Sequence, residues 1–300
     1  MMEKLNLEEL RTQRKQLADK LSSDRMLLAI LDTMHIDPKY IQSDVYVIND
    51  FYESCKRCNR CPGLKACVQD MTGYCSYLSV INGGLVEQRI ACKYQKSYDK
   101  QYAHLDKYLI NDLSDELSTV KFENIDYKAE NESYIRLYAK LSEYLDEACD
   151  KGVYIYGDFG VGKSYISAAL LNSMSETYDS LSFVKVPEFV SNIKFLIGVD
   201  DEQRVKMIDY AKKSKVLVLD DIGAETITAY SRDDIIFPIL DYRMENHLLT
   251  FFTSNLSIDE LQDKYAEPGS DEIRAKRLIE RIRKLCLVYN LIGNNKRLEK

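Results

Sequence analysis

The chain has 300 residues, of which 45% are hydrophobic and 30% charged, and its net charge is -7. This length exceeds one typical domain, so we expect a globular protein of two unequal domains, and the small number of Pro and Gly residues (5 and 12) excludes long low-complexity linkers. No apolar run approaches the ~20 residues of a membrane span and the N-terminus lacks the apolar core of a signal peptide, which favours a cytoplasmic protein without membrane contact.

An amphipathic helix is predicted over residues 3–31. Leucines recur there among charged and amide side chains, and the stretch contains no Gly or Pro. His35 and Pro38 end the pattern. The apolar stripe of this helix either packs on its own domain or binds a partner, and the sequence leaves both possibilities open.

Cysteines are concentrated between residues 55 and 92. The six that lie there are Cys55, Cys58, Cys61, Cys67, Cys75 and Cys92. Thiolates at C-x₂-C spacing, joined by a second pair from a later hairpin, form the tetrahedral cage of a structural Zn²⁺. Residues 78–90 predict that hairpin, with its turn at Asn82-Gly83-Gly84. The favoured ligands are Cys58, Cys61, Cys75 and Cys92, while Cys55 and Cys67 compete for places and metal-free buried thiols are the alternative.

A domain boundary is predicted after residue 110, within a polar stretch over residues 94–115 that shows no clear period. Residues 1–110 would form a helical, cysteine-rich domain. Residues 111–300 would form the second domain. From Phe122 onward its pattern alternates between helices and apolar strands, with strands at residues 153–156, 181–186, 215–219 and 248–255. This alternation predicts a parallel sheet covered by helices, with its ligand at the carboxyl ends of the strands.

A phosphate-binding loop is predicted between the strand at residues 153–156 and the helix that follows. The sequence GDFGVGKS fits the pattern G-x-x-x-x-G-K-[S/T] at every fixed position. Lys163 would reach the β- and γ-phosphates of a nucleotide and Ser164 would bind Mg²⁺. The predicted nucleotide-binding residues are Gly157, Asp158, Phe159, Gly160, Val161, Gly162, Lys163, Ser164 and Tyr165.

Two later strands end in polar residues that suit the same site. The apolar strand in KVLVLDDIG runs into Asp220, which can hold Mg²⁺ through water, and Asp221, which can orient or deprotonate the attacking water. A surface turn is the alternative for this pair. Asn255 ends the next strand and can position the hydrolytic water, unless it caps a helix that begins near Ser257.

The last stretch of the chain is basic. Residues 272–300 contain nine Lys or Arg and three Glu. Arg277, Arg281 and Arg283 have spacings that share one side of a helix. Their guanidinium groups could stabilise transferred phosphate in a neighbouring subunit, and a solvated helix face is the alternative.

Four blocks of sequence resemble the bacterial primosomal helicase loaders of the DnaI/DnaC type, which are AAA+ ATPases. These blocks are GDFGVGKSYISAALLN, VLVLDDIGAE, TFFTSNLSIDEL and RLIERIRKLC followed by NNKR, in the family's order. The cysteine-rich front half resembles the DnaI branch, in which a zinc-binding N-terminal domain grips the replicative helicase. The zinc spacing of that branch falls on Cys58, Cys61, Cys75 and Cys92, with Cys75 in place of a more typical His.

The resemblance implies an α/β AAA+ P-loop domain, preceded by a small helical and zinc-ribbon-like domain that binds the helicase. It makes Asn255 the sensor of the γ-phosphate, Arg277 a finger acting in trans with Arg281 in reserve, and Arg297 a second sensor. The implied function is an ATPase that loads a hexameric replicative helicase onto single-stranded DNA, with ATP, Mg²⁺ and Zn²⁺ as cofactors and further copies of the chain as partners.

Two other functions compete with helicase loading. An ATPase helper of a transposase shares a similar core, but such helpers usually lack a cysteine-rich front domain. A nucleotide-switched adaptor would bind ATP with little turnover, and Asp221 and Asn255 argue against it.

Overall fold

The structure is a computed structural model that describes residues 7–147, 149–267 and 271–296. The chain forms two compact units, residues 1–101 and residues 102–300. The domain boundary predicted after residue 110 lies later than this division, within a strand that spans Tyr108–Asn111. None of the described helices is long and apolar enough to cross a membrane.

The first unit contains helices and one antiparallel hairpin. Its elements are α1 (Leu7–Ser22), α2 (Arg25–Thr33), α3 (Tyr40–Ser43), α4 (Val45–Arg57), β1 (Tyr74–Ile81), β2 (Gly84–Ala91) and α5 (Lys93–Tyr102). The single helix predicted over residues 3–31 is divided into α1 and α2. Asp24 causes the division, because its Oδ1 accepts the backbone N–H groups of Met26 and Leu27 at 3.0 and 3.2 Å and so starts a new helix as its N-cap.

The leucine stripe of α1 and α2 packs within its own unit. Leu21 and Leu31 are buried in a cluster with Ile48 and Phe51 of α4, and Leu28 is partly buried against the same cluster. Burial of this stripe supplies the hydrophobic stabilisation that holds the small helices together. Of the two possibilities that the sequence left open, packing within the domain is the one observed for these residues.

The predicted hairpin is confirmed. Ile81 pairs with Gly84, so Asn82 and Gly83 form a two-residue turn. Both have positive φ, at 50° and 79°, as a turn that matches the right-handed strand twist requires. At the open end of the hairpin the N–H of Cys92 donates to the carbonyl of Gly73 at 2.8 Å.

The second unit is a parallel sheet between helices, as predicted. Its elements are β3 (Tyr108–Asn111), α6 (Glu132–Asp146), β4 (Gly152–Tyr156), α7 (Lys163–Met174), β5 (Leu181–Lys185), α8 (Val186–Phe195), α9 (Asp201–Lys213), β6 (Val216–Asp220), α10 (Phe237–Glu245), β7 (Leu249–Ser254), α11 (Ile258–Ala266), α12 (Glu272–Leu285) and β8 (Cys286–Asn290). The described strands are ordered β3-β5-β6-β7-β4-β8, and every pair is parallel. The carboxyl ends of β4, β6 and β7 therefore lie side by side at one edge.

Side chains that alternate along the central strands form a core on each face of this sheet. Leu217 and Leu219 belong to a cluster with residues of α8, α10, α11 and α12, whereas Val216 and Val218 belong to a second cluster with residues of α6 and α7. Such strands read as continuous apolar runs in the sequence because both of their faces are covered.

Two stretches contain elements that the sequence did not predict. Residues 94–115, which show no clear period, contain most of α5 and all of β3. The basic C-terminal stretch is a helix only as far as Leu285, and the next five residues form β8 beside β4. After β8 the chain returns toward the phosphate loop, where the N–H of Leu291 donates to the carbonyl of Tyr156 at 2.7 Å.

A buried arginine closes the carboxyl end of α9. Arg243 is fully buried, and its guanidinium donates to four backbone carbonyls and the hydroxyl of Thr250, at 2.5 to 3.1 Å. The carbonyls belong to Ala211, Lys212, Ser214 and Leu249. The last carbonyls of a helix have no partner within the helix, so Arg243 supplies partners where water cannot. Burial lowers the pKa of Arg243 to about 9, which leaves it charged at neutral pH.

Replacing Arg243 with methionine is expected to lower the free energy of unfolding of the second unit by at least about 3 kcal/mol, because several buried acceptors lose their donor. Arg204→Met is the matched control, since Arg204 pairs with Asp201 at an exposed position on α9 and such pairs contribute about 1 kcal/mol or less. Urea unfolding measures both variants. Equal stability of the two would show that the carbonyls find other partners.

Candidate nucleotide site

The phosphate loop connects β4 to α7 as predicted, and two of its glycines are required by the backbone. Gly160 and Gly162 have φ of 78° and 100°, a region that glycine adopts without strain. Gly162 is the N-cap of α7, so the N-terminus of a twelve-residue helix points at the loop. A Cβ atom at Gly160 would lie 1.9 Å from Oδ1 of Asn295. The loop is therefore covered closely by the C-terminal segment.

Lys163 and Asn255 are brought into direct contact. The Nζ of Lys163, which is 5% exposed, donates at 2.8 Å each to the carbonyls of Gly157 and Asp158 and to Oδ1 of Asn255. Asn255 does not cap the next helix. Ser257 does, in a capping box in which its hydroxyl accepts the N–H of Glu260. The side chain of Asn255 is thus directed at the phosphate loop.

The acidic pair at the end of β6 is held by a residue of β7. The hydroxyl of Thr253 donates to Oδ1 of Asp220 at 2.6 Å and accepts the N–H of Asp221 at 2.9 Å. Asp220 is 3% exposed, and burial raises its pKa, whereas hydrogen bonds from Thr253 and Ser164 lower it. The Ser164 hydroxyl and the Asp220 carboxylate are adjacent oxygen donors of the kind that Mg²⁺ prefers. These two residues fit the predicted magnesium site.

Asp221, the residue directly after β6, has a strained backbone conformation. Its φ is 56°, in the left-handed region that non-glycine residues seldom adopt. Strain of this type persists where surrounding contacts determine it, and it is concentrated at functional sites. The turn directs Asp221 into the same cavity as Lys163 and Asn255.

That cavity has a volume of about 750 Å³. The predicted residues that line it are Phe159, Gly160, Gly162, Lys163, Ser164, Tyr165, Asp221 and Asn255. Gly157 and Asp158 contribute the carbonyls that hold Lys163, and Val161 is buried in the core beneath the loop. Asp220 lies behind Asp221 at the strand end.

Sequence reasoning missed one wall of this cavity. The residues concerned are Ser114, Glu116, Leu117, Ile125, Asp126, Glu130, Tyr134 and Lys296. Most of them lie in irregular chain and short 3₁₀ turns before α6, where there is no periodic pattern to detect. The sequence contains one local signal near this wall, Asn131, a residue type that favours the start of a helix. Its side chain caps α6 by accepting the N–H of Tyr134 at 3.0 Å. Apolar side chains, among them Leu117 and Ile125, line this wall.

Lys296 is a second cation of the cavity. Its N–H donates to the carbonyl of Gly160 at 3.0 Å, and its Nζ pairs with the carboxylate of Glu130 and lies 4.2 Å from the centre of the Tyr134 ring. Arg297, the predicted second sensor, lies outside the described residues. A basic side chain of the C-terminal segment therefore lies at the phosphate loop one residue before the predicted position.

The candidate finger residues lie on α12, and neither lines the cavity. The guanidinium carbons of Arg277 and Arg281 are each 5.2 Å from the centre of the Phe237 ring. Nε of Arg281 also donates to Asp241 at 2.9 Å, whereas Arg277 is exposed. The geometry leaves Arg277 as the more accessible of the two, and its action in trans stays a prediction.

The predicted zinc ligands do not form a metal cage in the described part of the chain. Cys75 lies near Cys58 and Cys92, and burial, with these neighbouring thiols, raises its pKa. Burial raises the pKa of Cys55 to about 11. Yet within residues 7–147, 149–267 and 271–296 there is no group of three or more His, Cys, Asp or Glu side chains that could hold a metal ion. The sulfur of Cys58 instead accepts a hydrogen bond from Nε2 of Gln69 at 3.0 Å.

Comparisons with known proteins show similarity to ATP-binding proteins. Residues 95–300 match the family described as IstB-like ATP binding protein. The replicative helicase loader DnaI of Bacillus subtilis (strain 168) is 32% identical over 292 residues, which cover 94% of this chain and 92% of the relative. An insertion-sequence ATP-binding protein of Sinorhizobium fredii (strain NBRC 101917 / NGR234) is 25% identical over 177 residues, 58% of this chain and 70% of the relative.

Solved structures share the fold of the second unit. A crystal structure of DnaI has a TM-score of 0.55 and 32% identity, and the match covers 60% of this chain and 95% of that chain. The DnaC helicase loader, with a TM-score of 0.50 and 21% identity over 60% of this chain and all of that chain, shows the same fold. The parallel sheet flanked by helices is thus the AAA+ P-loop fold that the sequence predicted, while the zinc-ribbon part of the prediction is not shown. The chain belongs to the IstB-like ATP-binding proteins and, through a match along nearly its whole length, to the family of the replicative helicase loader DnaI.

Proposed function

We propose that this protein binds a hexameric replicative helicase and delivers it onto single-stranded DNA in a process coupled to ATP hydrolysis. The main support is the match to a replicative helicase loader over 94% of the chain. A second support is the site itself, in which Nζ of Lys163 donates to Oδ1 of Asn255 at 2.8 Å. Asn255 in this position would contact the γ-phosphate of a nucleotide held by the phosphate loop. As a replication factor it would act in the cytoplasm.

The residues of the cavity would each have a separate role in binding and hydrolysing ATP. The loop amides and Lys163 would bind the β- and γ-phosphates, and Ser164 with Asp220 would hold Mg²⁺, which neutralises charge that develops on the phosphates. Asp221 would orient or deprotonate the attacking water, and Asn255 would contact the γ-phosphate. The apolar side chains of Leu117 and Ile125 suit the faces of the adenine base.

Assembly with other copies of the chain is part of the proposal. Arg277 is exposed on α12, outside the cavity of its own chain. A guanidinium at such a place can reach the γ-phosphate bound by a neighbour. The separate first unit, residues 1–101, would then bind the helicase while the ATPase units contact one another and the DNA strand.

The proposed function is tested by reconstitution with a hexameric replicative helicase from the same cell. We expect the wild-type chain to co-purify with the helicase, to increase the amount bound to closed circular single-stranded DNA, and to hydrolyse ATP. Asp221→Asn is the control, since an amide cannot accept the proton of the water; it should bind ATP and the helicase without turnover. Capture of a transposase in place of the helicase would favour the insertion-sequence function, and binding of ATP without measurable turnover would favour an adaptor.

A zinc ion in the first unit is also proposed, from the cysteine spacing and from the closeness of Cys75 to Cys58 and Cys92. If Cys58, Cys61, Cys75 and Cys92 close around Zn²⁺, Cys58 must exchange its hydrogen bond from Gln69 for the metal. The purified protein is then expected to contain one zinc per chain by elemental analysis. Cys58→Ser and Cys92→Ser should release it, whereas Cys67→Ser should retain it; a full-length protein without zinc and with a folded first unit would contradict the prediction.

A further inference from the structure

We propose that Glu225 is a positioning residue for ATP hydrolysis, which fixes the turn after Asp221 through a hydrogen bond to Tyr265 of α11. Glu225 does not line the nucleotide cavity. It is 4% exposed, one carboxylate oxygen accepts the N–H of Gly223 at 2.7 Å, and the other accepts the hydroxyl of Tyr265, which is fully buried. The inference rests on the proposed function, because it assigns Glu225 to the hydrolytic step at the same site.

The turn that Glu225 holds has a left-handed backbone at both ends, which is strained at Asp221 and natural for Gly223. Asp221 has a φ of 56° and Gly223 a φ of 89°, and the N–H of Ala224 donates to the carbonyl of Asp221 at 3.0 Å. A Cβ atom at Gly223 would lie 2.5 Å from Cδ1 of Leu261 in α11, so the turn is also pressed against that helix. A turn of this kind keeps one conformation only while its surroundings determine it.

The near end of the turn is held by β7. Thr253 accepts the N–H of Ile222 at 2.9 Å through its carbonyl, and the hydroxyl of Ser254 donates to the carbonyl of Ile222 at 2.7 Å. Neither of these two bonds involves Gly223, which lies at the far end of the turn. Its N–H donates to Glu225 instead. The carboxylate thus completes the set of contacts that determines where Asp221 points.

Tyr265 connects this turn to the helix that follows Asn255. The carbonyl of Tyr265 accepts a hydrogen bond at 2.9 Å from Nη1 of Arg232, which is also buried. The helix α11 begins at Ile258, three residues after Asn255. The Glu225–Tyr265 bond therefore helps to fix the position of Asp221 relative to Asn255, the two side chains that would face the γ-phosphate. Displacing Asp221 relative to Asn255 is expected to slow hydrolysis without removing the phosphate loop that binds ATP.

The carboxylate of Glu225 accepts one hydrogen bond from each of its two partners. The backbone N–H of Gly223 and the hydroxyl of Tyr265 each need an acceptor, and Glu225 offers two oxygens. Glutamine could keep both contacts, since its Oε1 can accept the N–H of Gly223 while its NH₂ group donates to the hydroxyl oxygen of Tyr265. Leucine has no acceptor, so Glu225→Leu breaks both bonds. Burial is the largest influence on the carboxyl of Glu225 and raises its pKa, an effect that the hydrogen bonds from Tyr265 and Gly223 partly offset.

The test uses the full-length chain with Glu225→Leu and the nearly isosteric Tyr265→Phe. Both are expected to reduce kcat for ATP by about 10²-fold, the size of effect that small displacements of reacting groups produce, while the Kd for ATP stays within about 2-fold of wild type since the phosphate loop is intact. Tyr144→Phe is the matched control. The hydroxyl of Tyr144 donates to the carbonyl of Lys151 at 2.5 Å. The Tyr144→Phe variant should therefore lose stability to a similar extent but keep the wild-type kcat.

Hydrogen exchange of the amides of residues 221–225 gives a readout that does not depend on turnover. Exchange there should become faster in Glu225→Leu and Tyr265→Phe and remain unchanged in Tyr144→Phe. The inference is overturned if exchange at these amides is unaltered, if kcat is retained while only the melting temperature falls, or if ATP binding is lost together with kcat. If exchange becomes faster in the variants but the wild type hydrolyses no ATP, the bond between Glu225 and Tyr265 does hold the turn, and it is the proposed function that is contradicted.

Discussion

Lys163→Ala is expected to weaken ATP binding by about 10²-fold or more. The change removes the cation aimed at the β- and γ-phosphates, and hydrogen bonds from a charged group are worth about 1.5–3 kcal/mol each. It also removes the bonds that Lys163 makes to Gly157, Asp158 and Asn255, so the loop loses its internal support. Titration with a fluorescent ATP analogue measures the loss.

Lys121→Ala is the matched control for this experiment. Lys121 belongs to the same unit, and its Nζ likewise donates to a backbone carbonyl, that of Asn172, at 2.8 Å. It does not line the nucleotide cavity, so its removal should leave the Kd for ATP unchanged. Equal affinity of the Lys163→Ala and wild-type proteins would show that the phosphate loop is not the nucleotide site.

Arg277→Ala is expected to reduce ATP turnover by about 10³-fold while ATP binding is retained. A finger of this type offsets charge that develops only in the transition state, which is why its loss affects kcat and not the ground-state affinity. Because the site would be complete only between chains, turnover per chain of the wild type should rise with protein concentration. Arg274→Ala is the control on the same helix, since Arg274 pairs with Asp271 at 3.0 Å in an exposed position.

Mixing the two inactive variants distinguishes a finger in trans from one in cis. In a mixed assembly, the Lys163→Ala chain can lend its Arg277 to the intact nucleotide site of the Arg277→Ala chain, so part of the activity should return. No recovery at any ratio, despite demonstrated co-assembly, would mean that Arg277 acts within its own chain or only stabilises α12. In that case Arg281→Ala, which also releases Asp241, becomes the next variant to measure.

The sequence by itself determined the elements whose signals are local. The phosphate loop is defined by fixed spacing, because glycines are needed where the backbone turns and a lysine where the phosphates lie. The strands before Gly157, Asp220 and Asn255 could be predicted because both faces of a central parallel strand are buried, which produces continuous apolar runs. The hairpin at Asn82-Gly83 was equally local, since its turn type requires positive φ at both residues.

Only the tertiary structure decided which distant residues meet. The contact between Lys163 and Asn255 joins residues 92 positions apart, and the bonds of Glu225 to Tyr265 and of Lys296 to Glu130 span 40 and 166 positions. No periodicity encodes such pairs, because each depends on the order of strands in the sheet and on where the chain returns. For the same reason, four cysteines at suitable spacing do not by themselves become a metal site: ligands must converge in space, and sequence distance does not fix that convergence.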